Sequence, residues 1–287
     1  MRWPPYKHIF FDCDSTLTTV EGIDVLADLA GKGLRVSILT EAAMNGDLAL
    51  EDIYAKRLKA LKPTRGQVAK IKQIYKQHIV QDAAELIAAL QFLGHQVYII
   101  SGGLAEPVIE FGVYLGVPRE NIRAVGLQYN ALSGNWWQRL DEHPNASERY
   151  MSHTEGGLTV SDGKAFIVKE LLGDQPGRTL LVGDGVSDLK AGSVVDLFVG
   201  FGGVVKRPRV AQEAPAFINS ESLAPLLALA AGPIATPYLH DTVHQPVLEK
   251  ANHLISSGVI NFQNEQLRDK FLMAWSAAHQ TIHSGTD

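Results

Sequence analysis

The chain has 287 residues, a net charge of −5 and a single cysteine, Cys13. That length suits one large domain or two modest ones, and the lone cysteine rules out an internal disulfide and fits a reducing compartment. Basic residues are scattered rather than clustered, so no continuous positive surface is offered to nucleic acid. The start, Met1-Arg2-Trp3-Pro4-Pro5, lacks the apolar core and cleavage site of a secretory leader, and the longest apolar stretch, Leu223 to Ala235, is interrupted by Pro225 and Pro233. A cytoplasmic protein without a membrane partner is expected.

In chain order, His8-Ile9-Phe10-Phe11 is a short apolar run that stops at Asp12-Cys13-Asp14-Ser15-Thr16. Such a run, closed by turn-forming residues, predicts a central strand covered on both faces with polar groups at its carboxyl end. The acids and hydroxyls there either cap a strand-to-helix turn or form a site in which close carboxylates share a cation or divide protonation roles. Cys13, between the acids, reads as a buried structural thiol whose ionisation their charge opposes. Glu21 to Ala30 has helical spacing and ends at Gly31, and Thr40 to Leu61 and Thr64 to His78 continue in helical style on either side of Pro63. With no strand pattern between Thr19 and Gln81, this stretch reads as a helical lid that selects substrate.

From Asp82 the pattern alternates. A helix from Ala83 to Leu93 leads into a strand, Gln96 to Ile100, that stops at Ser101-Gly102-Gly103; Ala105 to Leu115 is helical and Ile122 to Val125 extended. Leu127 to Leu140 predicts a hairpin turning at Ser133-Gly134-Asn135, and the polar stretch from there to His153 has no assignable pattern. Trp136 and Trp137 are expected to cover the edge of a core. A helix from Lys164 to Leu172 precedes the strand Thr179 to Val182, which ends at Gly183-Asp184-Gly185-Val186-Ser187-Asp188. Asp196 to Val199 and Ala216 to Ile218 add short strands; between them Lys206, Arg207 and Arg209 read as solvated, and the Gly200-Phe201-Gly202-Gly203 turn is placed next to the site.

The tail from Pro233 carries two amphipathic helical patterns, roughly Thr242 to Ser257 and Asn264 to His283, separated by Gly258. Their apolar stripes require packing on the core or against a second subunit, so a homodimer through these helices is one expectation. His240 with His244, and His279 with His283, have one-turn spacing but no acidic or cysteine partner nearby, and read as exposed or packed histidines. The whole predicts an α/β class: a Rossmann-like parallel sheet wrapped by helices, with a small helical cap inserted after the first strand. The expected division is 1–18 with 82–231 as the core, 19–81 as the cap and 232–287 as a helical extension.

Collected at the strand tips, Asp12, Asp14, Ser101, Gly102, Gly103, Lys164, Asp184 and Asp188 suit one chemistry. Converging carboxylates make an oxygen site of the kind Mg2+ prefers, while a hydroxyl, an ammonium and free backbone N–H groups match the equatorial oxygens of a transferring phosphoryl group. One aspartate can attack phosphorus while its neighbour manages protons.

The combination Asp12-x-Asp14-x-Thr16, Ser101, Lys164 and Gly183-Asp184-x-x-x-Asp188 resembles the haloacid dehalogenase superfamily of aspartyl-phosphate hydrolases. Glu21-Gly22-Ile23-Asp24, Ala43-Met44, Arg57-Leu58 leading to Pro63, and Phe198 to Gly203 resemble its phosphoserine phosphatase branch, over about residues 7 to 230. The resemblance implies Asp12 as nucleophile, forming a phosphoaspartate, and Asp14 as the acid that protonates the leaving oxygen and then activates water. It implies Mg2+ held by the side chains of Asp12 and Asp184 and the backbone carbonyl of Asp14, with Asp188 in or beside that set, and phosphoryl binding by Ser101, Gly102, Gly103 and Lys164. Within the lid, Glu21 meets a substrate ammonium, Arg57 its carboxylate, and Met44 shields the site, giving O-phospho-L-serine as the implied substrate. The alternatives are another small phosphate ester such as phosphohomoserine, transfer to an acceptor other than water, or an idle binding module on the same fold. Asn45-Gly46 stands where the family often has Gly-Gly, and the segment from Asn135 to Ser161 and the helical tail exceed its usual length.

Overall fold

The computed structural model describes residues 3–31, 36, 50–133, 146–232 and 238–283. Met44, Asn45, Gly46, Trp136 and Trp137 lie outside them, as do the side chains of His279 and His283. The core is a seven-stranded sheet in the order β3-β2-β1-β6-β7-β8-β9. These strands are β1 (His8–Phe11), β2 (Gln96–Leu104), β3 (Ile122–Val125), β6 (Thr179–Gly183), β7 (Leu197–Phe201), β8 (Ala216–Ile218) and β9 (Ile260–Phe262). All neighbours are parallel except β8 and β9. Every residue of β1, β6 and β7 is buried, as continuous apolar runs require when helices cover both faces.

Strand order reverses beside β1, where the chain goes to β2 and β3 on one side and returns to β6 on the other. Crevices at such a reversal are the usual ligand sites of open parallel sheets. Register fixes which residues meet there: Phe11 pairs with both Ile99 and Val182, so Asp12, Ser101 and Asp184 emerge together at the carboxyl edge. Strand β2 continues through Ser101-Gly102-Gly103 to Leu104 instead of stopping at Ile100, with a shift in its register against β3.

After β1 the chain enters helices α1 (Gly22–Leu29), α2 (Leu50–Leu61) and α3 (Arg65–Gln77), and α4 (Ala83–Phe92) then leads into β2. Pro63 ends α2, and Thr64 opens α3 with a capping box, its hydroxyl accepting from Gln67 N–H at 3.2 Å while Gln67 Oε1 accepts from Thr64 N–H at 2.9 Å. The two strands of chain that join this insertion to the core run side by side, Thr19 N–H donating to His78 O at 2.8 Å and Val80 N–H to Leu17 O at 3.0 Å. Helix α3 packs on α5 (Ala105–Tyr114), with the Tyr75 and Phe111 rings edge to face at 5.4 Å.

The hairpin differs from expectation. Strand β4 (Leu127–Asn130) pairs antiparallel with β5 (Arg149–His153), which lies in the polar stretch, while the expected turn at Gly134-Asn135 and its arm to Leu140 fall outside the described residues. The other edge of β5 meets the helical insertion: Tyr150 N–H donates to Pro63 O and Arg65 N–H to Glu148 O, each at 2.8 Å. The remaining helices are α6 (Gly163–Leu172), α7 (Val186–Ala191), α8 (Pro208–Glu213), α9 (Leu226–Ala231), α10 (Gln245–Ser256) and α11 (Glu265–His283).

The tail packs on the core. Val247, Leu248, Ala251 and Ile255 form the buried stripe of α10, which rests on α9 and α4. Between the two predicted helices lies β9, an extra antiparallel strand that closes the edge of β8. Phe271 of α11 is fully buried, 5.1 Å from the Trp3 ring and 5.6 Å from Phe262, and Trp3 Nε1 donates to Leu229 O at 2.8 Å. His244 packs its ring 5.0 Å from Phe92. Among the described residues no helix is long and apolar enough to cross a membrane.

Candidate active site

A cavity of about 70 Å³ lies between the carboxyl edge of the sheet and the helical insertion. Asp12, Asp14, Ser101, Gly102, Gly103 and Lys164 line it from the core, and Glu21, Tyr54 and Arg57 from the insertion. Every sequence-predicted site residue among those described is gathered here, with Asp184 and Asp188 packed directly behind.

In the turn after β1 the Ser15 and Thr16 side chains do not act as backbone caps. Ser15 takes a left-handed conformation at φ 54°, and Thr16, Leu17 and Thr18 direct their N–H groups to Cys13 O. The hydroxyls serve acids rather than backbone: Ser15 Oγ donates to Glu21 Oε1 at 2.8 Å and Thr16 Oγ1 to Asp184 Oδ1 at 3.3 Å. Cys13 is buried, and burial, then the Asp14 and Asp12 charges, raises its thiol well above the usual range, in keeping with a structural residue.

Lys164, 5 % exposed, sits between two acids, its Nζ 2.7 Å from Asp12 Oδ1 and 2.6 Å from Asp188 Oδ1. Burial opposes its charge, but Asp12 and Asp188 overcome that and its pKa is raised. The geometry depends on glycines where elements touch: a Cβ at Gly163 would overlap the Gly157 carbonyl, and one at Gly183 would strike the Asp188 carboxyl. Asp188 also accepts from Gly185 N–H at 3.2 Å, which fixes its second oxygen.

Asp14 is held from the insertion. The Tyr75 hydroxyl donates to Asp14 Oδ1, and only a glycine at position 22 leaves room for that hydroxyl. Burial pushes the Asp14 carboxyl up to about 7, against the lowering effect of the Tyr75 bond. A carboxyl poised near neutrality can both give and take a proton. Burial, followed by repulsion from Asp14, raises Glu21 to about 8. Gly103 N–H, expected to be free, donates to Ser101 Oγ at 2.9 Å; the short turn brings it back onto its own hydroxyl neighbour.

Arg207 is the main correction. Expected in solvent, it is 5 % exposed, with Nε 2.9 Å from Asp184 Oδ2 and Nη2 3.6 Å from Glu21 Oε1. Buried acids at both positions demand a compensating charge, and the glycine turn from Gly200 to Gly203 delivers it, while Lys206 and Arg209 remain exposed. Tyr54 and Tyr75 are the other residues the sequence reading missed.

Asp12, Asp184 and Asp188 are the cluster of acids among the described residues that could share an ion, their oxygens lying within 4.8 Å of one another. Burial raises Asp184 and Asp188 to about 7 each. Locally the acids Asp12, Asp14, Glu21, Asp184 and Asp188 outnumber the cations Lys164, Arg57 and Arg207, so a small dication fits this all-oxygen set.

The family model of haloacid dehalogenase-like hydrolases matches residues 9–193, which run from β1 to the end of α7 and include these acids. The chain belongs to the haloacid dehalogenase-like hydrolases. Among curated relatives, phosphoserine phosphatase of Drosophila melanogaster is 31% identical over 211 residues, 74% of each chain. The chloroplastic phosphoserine phosphatase of Arabidopsis thaliana is 33% identical over 217 residues, 74% of this chain and 68% of its own. A phosphoserine phosphohydrolase-like protein from Francisella tularensis superposes with a TM-score of 0.66 at 25% identity, covering 78% of this chain and 99% of that one. A phospho-aspartyl intermediate analogue of phosphoserine phosphatase gives 0.64 at 25% identity, covering 78% and 98%. This hydrolase is an enzyme acting on phosphoric monoesters, and its Rossmann-like α/β core is that of its relatives.

Proposed function

We propose that this hydrolase converts O-phospho-L-serine and water into L-serine and phosphate through a phosphoaspartate on Asp12, with residues 19–81 acting as a lid. The observation that carries the substrate is the pairing of Glu21 and Arg57 in one cavity with Asp12 and Lys164. An acid and a guanidinium held on a water-excluding cover suit an amino acid's ammonium and carboxylate, while the phosphoryl group faces the core.

Asp12 Oδ attacks phosphorus as the ester P–O bond breaks, and the Asp14 carboxyl gives its proton to the departing serine oxygen. Water then attacks the phosphoaspartate while the Asp14 carboxylate takes its proton, and cleavage of the P–O bond to Asp12 releases phosphate and restores both acids. Ser101, Gly102 and Lys164 bind the phosphoryl oxygens. A Mg2+ ion held by Asp12, Asp184 and the Asp14 carbonyl, with Asp188 alongside, would supply positive charge for the phosphoryl oxygens.

Turnover across a panel of phosphate esters tests the substrate. Phosphoserine should exceed sugar phosphates in kcat/KM by at least about a hundredfold, since two charged contacts distinguish them. Equal turnover of sugar phosphates would reject phosphoserine as the substrate.

A further inference from the structure

Tyr54 lies on α2, is 5 % exposed and lines the cavity, yet the chemistry above assigns it nothing. Its hydroxyl donates to the Gly102 carbonyl at 2.8 Å, a direct polar tie from the helical insertion to the turn that carries Ser101. On the same helix Arg57 sets its guanidinium 5.6 Å from the centre of the Tyr54 ring, and the His153 ring supports that ring from β5 at 5.2 Å. His153 in turn is held by the Tyr150 hydroxyl at 2.9 Å from Nδ1. Asp12 and Lys164 line the same cavity and are only 2 % and 5 % exposed beneath the insertion.

We propose that Tyr54 is a positioning residue of the reaction: its hydroxyl fastens the lid onto the phosphoryl-binding turn, and its ring sets the pose of Arg57 toward a carboxylate-bearing substrate. The second half rests on the phosphoserine reading; the first does not. An arginine whose long side chain is braced against an aromatic face loses less freedom on meeting a carboxylate, so the brace acts on substrate affinity.

The test uses full-length protein with Mg2+, the variants Y54F and Y54L, and two esters, O-phospho-L-serine and O-phosphoethanolamine, which keeps the ammonium and lacks the carboxylate. Y54F, which removes only the hydroxyl, should raise KM for both esters by the same roughly three- to tenfold factor, the worth of one hydrogen bond, with a smaller change in kcat. Y54L should raise KM for phosphoserine further, by roughly another three- to tenfold, and leave phosphoethanolamine at the Y54F level. A wild-type KM in Y54F on both esters, with only the melting temperature lowered, would overturn the fastening role. An equal extra penalty on both esters in Y54L would overturn the Arg57 role. If wild-type protein shows no preference for phosphoserine over phosphoethanolamine, the substrate reading fails, while the Y54F result on either ester still decides the fastening.

Discussion

The Tyr75 hydroxyl donates to Asp14 Oδ1, so the strand-tip acid proposed to handle protons is held by a side chain from the helical insertion. The bond stabilises the carboxylate and lowers a pKa that burial raises. Removing it in Tyr75→Phe should push Asp14 higher still. The alkaline limb of the kcat/KM profile, where the proton-donating form is lost, should move to higher pH, and kcat should fall by about tenfold, the rate equivalent of roughly 1.4 kcal/mol. A profile superimposable on wild type would show that Tyr75 only packs.

Asp12→Asn replaces the carboxylate proposed as nucleophile at nearly constant volume. Turnover should drop by about a thousandfold or more, with the fold intact by circular dichroism. Near-wild-type activity in this variant would remove Asp12 from the role of nucleophile.

Arg207 pairs with Asp184 at 2.9 Å and reaches Glu21 at 3.6 Å in a water-poor setting. In Arg207→Met both acids lose their cation, and breaking a buried pair of this kind destabilises by about 3 kcal/mol. Urea denaturation of metal-free protein should show that loss in the midpoint at unchanged slope. Indifference of the midpoint would mean that solvent compensates for the missing guanidinium.

Glu21, raised to about 8 by burial and by Asp14, holds a proton more tightly than an exposed carboxyl does. An ammonium is bound best by the carboxylate form, so binding must drive off that proton below the raised value. The KM for phosphoserine should therefore fall as pH rises from about 6 toward 8, and Glu21→Gln should flatten the dependence. A KM that climbs with pH over this window contradicts the ammonium contact.

Mg2+ should stabilise the folded chain by mass action, through a site the unfolded chain lacks. At one hundred times Kd the gain is about 2.7 kcal/mol, measurable as a rise in Tm when Mg2+ is added to chelator-treated protein. Asp184→Asn should abolish most of that rise, and a full Mg2+ response in the variant would place the ion elsewhere.

How much of this was legible in the sequence depended on how local each signal is. The strand β1 and its acids, the glycine pair after Ser101, and the Gly183 to Asp188 turn each follow from a short apolar run and its punctuation, and parallel register alone brings them together. Arg207 was hidden because a lysine, a proline and a second arginine around it describe a solvated loop, and only the buried Asp184 gives it a reason to turn inward. Tyr54 and Tyr75 are ordinary apolar-face positions until the insertion docks on the sheet, which no helical period encodes. Strand β5 was obscured by the 18 residues, 131–148, that separate it from β4, and β9 by its three residues between two strong helical patterns.

Trp3 and Phe271 meet at 5.1 Å, joining the first described residue to the last described helix. The catalytic strands, through β7, thus precede in sequence the segment that shields the sheet: β9 covers the outer edge of β8, and the helix after it carries Phe271 to Trp3.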